Sequence, residues 1–159
     1  MSENLTRLGP NLLTYEKLTA AKTFDLYDSG KIFLVNPGAT IALTLPTLTT
    51  TDAKDAAQTE APAGWNCEIW ITEDTDGSDG GMGNIINIDF GSGNDVVGSI
   101  VTTDDTGDYA VNNDDFINFT AAASPGDNVF IWTDGNRWYV RGVAKATGSD
   151  VKFHTAAAS

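Results

Sequence analysis

The sequence predicts an all-β domain, an antiparallel β-sandwich or jelly-roll-like barrel with an N-terminal arm. Short runs in which apolar and polar residues alternate recur along the chain, as is typical of half-buried strands. Turn-forming residues such as Asp134-Gly135 separate these runs at short intervals, which is the spacing of sandwiches and barrels. No amphipathic stretch reaches the length of a stable helix.

The chain length of 159 residues suits one domain with a substantial hydrophobic core. We expect an N-terminal arm over residues 1–14, a single β-domain over 15–154 and a C-terminal tail over 155–159. The arm has no clear apolar periodicity and contains Gly9-Pro10. Terminal segments of this kind become ordered where something binds them.

The first elements of the β-domain are short. Residues 15–21 fit a strand or a single helical turn. The cluster Asp28-Ser29-Gly30 lies between two apolar runs and predicts a β-hairpin. Alternation of Ile41, Leu43 and Leu45 with smaller residues predicts a half-buried strand.

Residues 47–62 differ in composition from their surroundings. Thr51 or Asp52 could cap a short helix in this segment, and a surface loop is the equal alternative. The run that follows predicts a core strand whose other face carries Trp70. Its inward positions are Trp65, Cys67, Ile69 and Ile71.

Further alternation predicts the remaining strands. They cover residues 86–90, 96–102, 116–120, 128–133 and 137–143, with a last edge strand over 151–153. Asp134-Gly135 should form the tip of a hairpin, because a type I′ turn needs positive φ at its central residues. We expect Trp65, Ile69, Ile131 and Val140 to be buried.

The strand over residues 128–133 is apolar on both faces. Val129 and Ile131 point one way, and Phe130 and Trp132 point the other way. Such a strand is either central in a sandwich or has one face at an interface. Exposed aromatic rings can stack on sugars, but they more often fill a core or a subunit contact.

The charge of the chain is strongly negative, at −13, and this disfavours binding to nucleic acid. Residues 50–135 contain seventeen acids and one base, Lys54, whereas both ends are neutral to basic. If the ends lie together, one face of the protein tolerates contact and the other repels it. Equally, the acids could collect in loops and serve solubility.

Cysteine content and hydropathy place synthesis in a reducing cytoplasm. The single Cys67 excludes an intrachain disulfide and is expected to be a small buried hydrophobe. The N-terminus lacks the basic and apolar regions of a secretory signal, and no apolar run is long enough to span a membrane.

Residue constellations for catalysis are nearly absent, so an enzyme is not expected. His154 is the only histidine and lies next to the tail, so it builds no nucleophile arrangement and, with Cys67 alone, no zinc site. Adjacent aspartates at 104–105 and 114–115 are expected as solvated loop charge in a chain with 22 acids.

Calcium is the one cofactor that the residues suggest. Asp74, Asp76 and Asp79 lie in a glycine-rich loop and offer carboxylate oxygens at short spacing. The loop fails as an EF-hand, because its twelfth position is Ile85 and not glutamate. A plain acidic loop is the alternative.

The segment 126–140 carries a resemblance to a known class of proteins. Its order of Gly-Asp, strand, Asp-Gly-Asn and Trp-Tyr-Val resembles the C-terminal hairpin of small β-domains in tailed-phage virion proteins. Upstream, Lys31–Val35, the Thr44-Leu45-Pro46 strand end and the Ala63-Gly64-Trp65 strand extend the likeness over residues 24–142. The insert at 47–62 and the N-terminal arm depart from the simplest pattern.

The resemblance implies a structural virion protein, most like a capsid decoration protein that binds the outside of the shell and stabilises it. It implies the major capsid protein as partner, a homo-oligomer with a trimer favoured, location on the capsid outer surface, and neither nucleic-acid nor membrane binding. The alternative is a tail-fibre or spike domain that binds a host-surface glycan. Candidate capsid or subunit contacts lie in the arm: Leu5, Arg7, Leu8, Leu12 and Leu13.

Overall fold

A computed structural model of the chain describes residues 14–72, 83–92, 96–102, 108–109, 114–144 and 151–154. These residues form strands and a single 3-10 helix, Leu26–Asp28. The strands are β1 (Thr14–Leu18), β2 (Lys22–Thr23), β3 (Lys31–Val35), β4 (Ile41–Thr44), β5 (Thr47–Leu48), β6 (Glu60–Ala61), β7 (Asn66–Ile71), β8 (Ile86–Asp89), β9 (Val96–Thr102), β10 (Asp108–Tyr109), β11 (Phe116–Phe119), β12 (Asn128–Thr133), β13 (Trp138–Ala144) and β14 (Val151–His154). The predicted all-β class is confirmed.

Two sheets pack face to face. The large sheet has seven strands in the order β1-β3-β7-β12-β13-β9-β10. The small sheet has five strands in the order β14-β11-β8-β4-β2, and β5 pairs with β6 in a separate two-stranded sheet. The architecture is therefore sandwich-like, as the sequence predicts.

The sheets are mixed, which differs from the antiparallel arrangement that the sequence suggested. Six of the eleven strand pairings are parallel. Parallel neighbours need a long crossover connection. Here the crossovers run through the opposite sheet: the chain passes from β3 through β4 of the small sheet before it returns to β7 beside β3. Local alternation of residues does not encode such long-range pairing.

The core lies between the inner faces of the two sheets. Alternate residues of the central strands are buried, and Trp65, Ile69, Ile131 and Val140 are at most 2 % exposed, as predicted. Trp65 packs edge-on against Trp138, with ring centroids 5.5 Å apart, and also against Phe24. Cys67 is buried in this core, as expected, and burial raises the pKa of its thiol.

The β12–β13 hairpin is confirmed, with a longer loop than the predicted two-residue turn. Thr133 pairs with Trp138, so residues 134–137 form a four-residue connection. Gly135 has the expected positive φ, at 90°. The Asp134 carboxylate accepts hydrogen bonds from the backbone N–H groups of Asn136 and Arg137, which stabilises the turn.

Three local predictions have definite outcomes. Residues 14–18 form a strand rather than a helical turn. The cluster Asp28-Ser29-Gly30 does not join a hairpin, because β2 and β3 belong to different sheets and the 3-10 helix capped by Asp25 lies between them. Residues 51–57 form turns and no α-helix, so the loop alternative is the correct one.

The first and last described strands lie at opposite edges of the sandwich. β1 is an edge strand of the large sheet, and an ion pair ties it to β2 at the edge of the small sheet. β14 is the other edge strand of the small sheet and contacts β10 at the far edge of the large sheet. The condition that the chain ends lie together is therefore not met by these two strands.

Candidate functional site: the outer face of the large sheet

The side of the large sheet that points away from the core carries an unusual set of residues. We call this side the outer face. Strand pairing aligns its residues in three rows across the sheet. The first row is Lys17, Leu34, Trp70, Asn128, Val143 and Val101; the second is Tyr15, Ile32, Glu68, Phe130, Arg141 and Ser99; the third is Asn66, Trp132, Tyr139 and Val97.

The outer face is apolar and open to solvent. Among the described residues, five large hydrophobic side chains are exposed, and four of them lie on this face: Tyr15, Val97, Val101 and Val143. Val101 is 59 % exposed and Val143 is 52 % exposed. Monomeric soluble proteins rarely expose contiguous apolar patches larger than roughly a few hundred Å², so a concentration of exposed apolar side chains on one face favours an interaction surface.

Three aromatic side chains, Phe130, Trp132 and Tyr139, form a continuous stack at the centre of the outer face. We call them the aromatic row. The rings of Phe130 and Trp132 lie 5.3 Å apart at 25°, and those of Trp132 and Tyr139 lie 5.5 Å apart at 16°. All three are half-buried. Since Trp132 stacks on both neighbours, the row is a pre-formed rigid ridge.

A hydrogen bond fixes one end of the aromatic row. The Tyr139 hydroxyl donates to Oδ2 of Asp134 over 2.9 Å. This hydrogen bond raises the pKa of Tyr139, because an ionised phenol would face a carboxylate. The pKa of Asp134 is lowered, first by the backbone N–H of Asn136 and then by the Tyr139 hydroxyl.

The outer face does not share the acidity of the chain. Among the residues of the three rows, the charged ones are Lys17, Glu68 and Arg141, which is two bases against one acid. Glu68 and Arg141 flank Phe130 on the two neighbouring strands, one on each side. Although the chain has a net charge of −13, a second acidic protein would be repelled little by this surface, because its charges nearly balance.

The outward side of the small sheet is different in kind. Strand pairing aligns Ala42, Asn87 and Asn118 in one row, and Thr44, Asp89 and Phe116 in the next. Asn87 is 6 % exposed and Asn118 is 2 % exposed, and both residues have interaction partners in the molecule. The centre of this side is polar and already buried, so it makes a poor candidate for an interaction surface.

A cluster of four charged residues closes the edge formed by β1 and β2. Lys31 Nζ lies 2.6 Å from Asp28 Oδ1 and 3.5 Å from Glu16 Oε2. Lys22 Nζ lies 3.2 Å from each of the same two acids. Burial alone would lower the pKa of Lys31, but its bond to Asp28 raises it. Each charge is paired with two of opposite sign, which indicates a structural role.

Several predicted site residues lie outside the described residues. These include the arm contacts Leu5, Arg7, Leu8, Leu12 and Leu13 and the calcium candidates Asp74, Asp76 and Asp79. Asp114 and Asp115 are described; Asp114 is buried, and both have interaction partners, in contrast to the solvated loop charge expected there.

Other kinds of site were sought in the ranges that the structure describes. There, no group of three or more histidine, cysteine, aspartate or glutamate side chains is close enough to hold a metal ion. No helix in those ranges is long and apolar enough to cross a membrane. His154 is exposed at the end of the edge strand β14.

The outer face as a whole was not evident from the sequence. Phe130 and Trp132 are interface candidates from the sequence alone, because both faces of their strand are apolar. Val97, Val101 and Val143 alternate with inward residues on β9 and β13, but alternation alone does not mark them as part of an interface. Their significance depends on which strands are neighbours, and the parallel β13–β9 pairing supplies that information.

Comparison of the chain with protein-family models, with curated proteins and with solved structures found no match in any of the three.

Proposed function

We propose that this protein is a structural virion protein that binds the outside of a phage capsid and stabilises it. In this role the outer face of the large sheet is a protein–protein contact within the decorated shell, and the N-terminal arm anchors the protein to the major capsid protein. The observation that carries the proposal is the concentration of exposed apolar side chains on the outer face. The phage setting comes from the resemblance of segment 126–140.

The composition of the outer face supports a protein contact. Aromatic residues and arginine are enriched in the centres of protein interfaces, whereas acids are depleted there. The outer face has Trp70, the aromatic row and Arg141, and Glu68 is the one acid in the three rows that the structure describes. Large, pre-ordered rings lose little conformational entropy when a partner covers them.

The distribution of charge supports a location on the outside of a shell. Acidic loops that face the medium would keep virions dispersed, and the weakly basic outer face would remain available for contact. Each contact can be weak, because many copies on one shell act together through avidity.

Attachment through the arm remains part of the proposal. Four leucines and Arg7 lie in residues 1–13, directly before β1. β1, which follows the arm in sequence, is an edge strand of the large sheet. An apolar arm at that position could bind the shell while the outer face contacts a neighbour.

A host-glycan-binding tail-fibre or spike domain is the second candidate. It is favoured by the partly exposed aromatic row next to polar groups on Asn66, Arg141 and Asp134. Sugars bind by lying flat on aromatic faces. Trp132 stacks on two other rings, which leaves less of its face for a sugar and makes this candidate the weaker one.

The decisive experiment is a binding assay with mature empty shells assembled from the cognate major capsid protein. We expect saturable binding, a fixed number of copies per shell by electron microscopy, and a higher temperature of shell disruption. Deletion of residues 1–13 should lower the occupancy and change its salt sensitivity. Full occupancy at unchanged salt sensitivity would exclude the arm as the anchor.

A matched pair of variants tests the outer face in the same assay. Val143→Asp places a charge on the outer face, and Ala42→Asp places the same charge at an exposed position on the outward side of the small sheet. We expect the first variant alone to lose occupancy. Failure of the full chain to bind shells, combined with saturable binding to a glycan, would replace decoration by the second candidate.

A further inference from the structure

We infer that the outer face of the large sheet binds a second copy of this chain, related to the first by a two-fold axis that runs along β12. The inference rests on the proposed role of the outer face as a protein contact and names the occupant of that face. A self-pairing surface must be complementary to itself under its symmetry axis. The order of residues in the three rows meets this requirement.

The second row supplies the charge complementarity. Glu68 and Arg141 lie one strand to either side of Phe130. A two-fold axis parallel to β12 exchanges the two sides, so it places Glu68 of each copy opposite Arg141 of the other copy. Two equivalent ion pairs then flank the Phe130 rings at the centre.

The first and third rows agree with the same axis. In the first row, Trp70 on β7 comes to face Val143 on β13, and Asn128 on the axis faces its own copy. In the third row, Trp132 lies on the axis and faces Trp132 of the other copy. Asn66 of each copy faces Tyr139 of the other copy. On these three central strands apolar positions meet apolar positions, and polar positions meet polar groups. One strand further out, Leu34 faces Val101, and Ile32 faces Ser99 as the one polar–apolar opposition between β3 and β9.

Other arrangements are less favourable. An axis that lies in the face but runs across the strands through Phe130 would place Glu68 over Glu68 and Arg141 over Arg141. Like charges in direct opposition destabilise an interface. Aligned sheets cross at about 30°. The offset between facing residues therefore grows with their distance from the axis, and the residue pairs closest to β12 oppose each other most directly. The charges thus select strands that run in the same direction in both copies.

The size of the outer face fits a dissociable pair. Seven strands at a spacing of about 4.8 Å make a face roughly 29 Å wide. Apart from the two-residue β10, these strands have five to seven residues, which makes the face about 20 Å tall. Covering both copies removes on the order of 1,200 Å² from solvent, at the lower end of specific interfaces. We therefore expect pairing that depends on protein concentration.

The test measures the mass of the full chain in solution by sedimentation equilibrium over a concentration series, without shells. The wild-type protein should shift from monomer to dimer. Glu68→Arg alone and Arg141→Glu alone should each weaken pairing by roughly tenfold or more, because each variant opposes like charges. Both positions are at least partly exposed, so circular dichroism melts should remain close to the wild-type melt.

The two single variants provide the sharpest control when they are mixed. One then carries only bases and the other only acids at positions 68 and 141, so an equimolar mixture should form a heterodimer. The double variant Glu68→Arg/Arg141→Glu should recover the wild-type association. A heterologous partner would produce neither rescue.

Any one of the following outcomes would overturn the inference: a wild-type chain that stays monomeric at high concentration, single variants that pair as well as the wild type, or a mixture that does not pair. A trimer would also overturn it, because a two-fold contact closes with two copies. Shell binding by a strictly monomeric chain would preserve the proposed function while removing this inference. A dimer that binds no shell would do the reverse.

Discussion

The outward sides of the two sheets differ sharply, although both sheets bury their other side in the same core. On the large sheet the outward side carries stacked aromatic rings and exposed valines. On the small sheet the outward side carries Asn87 and Asn118, which are buried and have partners. Burial in the shared core stabilises both sheets. The difference between their outward sides indicates that the large sheet provides the surface for contact with other molecules.

Polar groups also have different roles on the two outward sides. On the small sheet the amide of Asn118 is buried, and the residue interacts with its own chain. The large sheet instead has Glu68 and Arg141 flanking an apolar centre. Charges in that arrangement orient a partner more than they stabilise the domain.

The largest effect should come from tryptophan substitutions on the two sides of the same hairpin. Trp138→Ala removes a fully buried ring that packs on Trp65 and Phe90, and should cost about 3–5 kcal/mol of unfolding free energy. Trp132→Ala removes two stacking contacts on the outer face and should cost about 1–2 kcal/mol. Urea denaturation at low protein concentration measures both values. Equal costs would mean that the outer face is part of a core.

Asparagine and serine at the corresponding outward positions should separate the two sides next. Asn118→Ala removes a buried amide and should cost about 1–3 kcal/mol, because the groups that interact with it lose a partner. Ser99→Ala on the outer face should change the unfolding free energy by less than about 0.5 kcal/mol. Thermal denaturation followed by circular dichroism gives both numbers. If Asn118→Ala left the unfolding free energy unchanged, the buried amide of Asn118 would not contribute to the stability of the small sheet.

The fold class and most strand positions were predictable, because alternation along a strand reflects which side is buried. The run from Trp65 to Ile71 is an example: its inward residues are all buried and Trp70 lies on the other face. Pairing was not predictable, since the parallel contact of β13 with β9 joins residues far apart in sequence. For the same reason Phe130 and Trp132 were recognised as candidates for an interface, while the outer face that they belong to was not.

The turn at the tip of the β12–β13 hairpin was also predictable only in its local conformation. Asp134-Gly135 predicted a turn with positive φ, and Gly135 has it. The sequence did not show that this tip packs against Thr49 in another part of the chain. Contacts between segments distant in sequence thus account for most of what the sequence left open.

Substitution of the tip glycine should loosen the hairpin that carries the aromatic row. Gly135→Ala forces a side chain into positive φ and places its Cβ 2.6 Å from the Thr49 carbonyl oxygen, so we expect a loss of about 1–2 kcal/mol in unfolding free energy. Gly38→Ala is the control, because its Cβ meets nothing within 4 Å. Chemical denaturation compares the two. A neutral Gly135→Ala would mean that the tip is free to move.

The smallest expected effect is a shift in the titration of Tyr139, which lies at one end of the aromatic row. A pH titration followed by absorbance measures it. The Tyr139 hydroxyl donates to Asp134, so the pKa of Tyr139 is raised above the ordinary value of about 10. The stabilisation from this bond is fully present below that ordinary value and is lost as the pH rises through the raised pKa. Because the pKa of Asp134 is lowered, the carboxylate stays charged down to pH values below its ordinary range. Asp134→Asn should therefore shift one phenolate absorbance transition to lower pH, and Tyr139→Phe should remove that same transition. If the titration of Asp134→Asn matched that of the wild type, the hydrogen bond would not be present in solution and the row would lack this restraint.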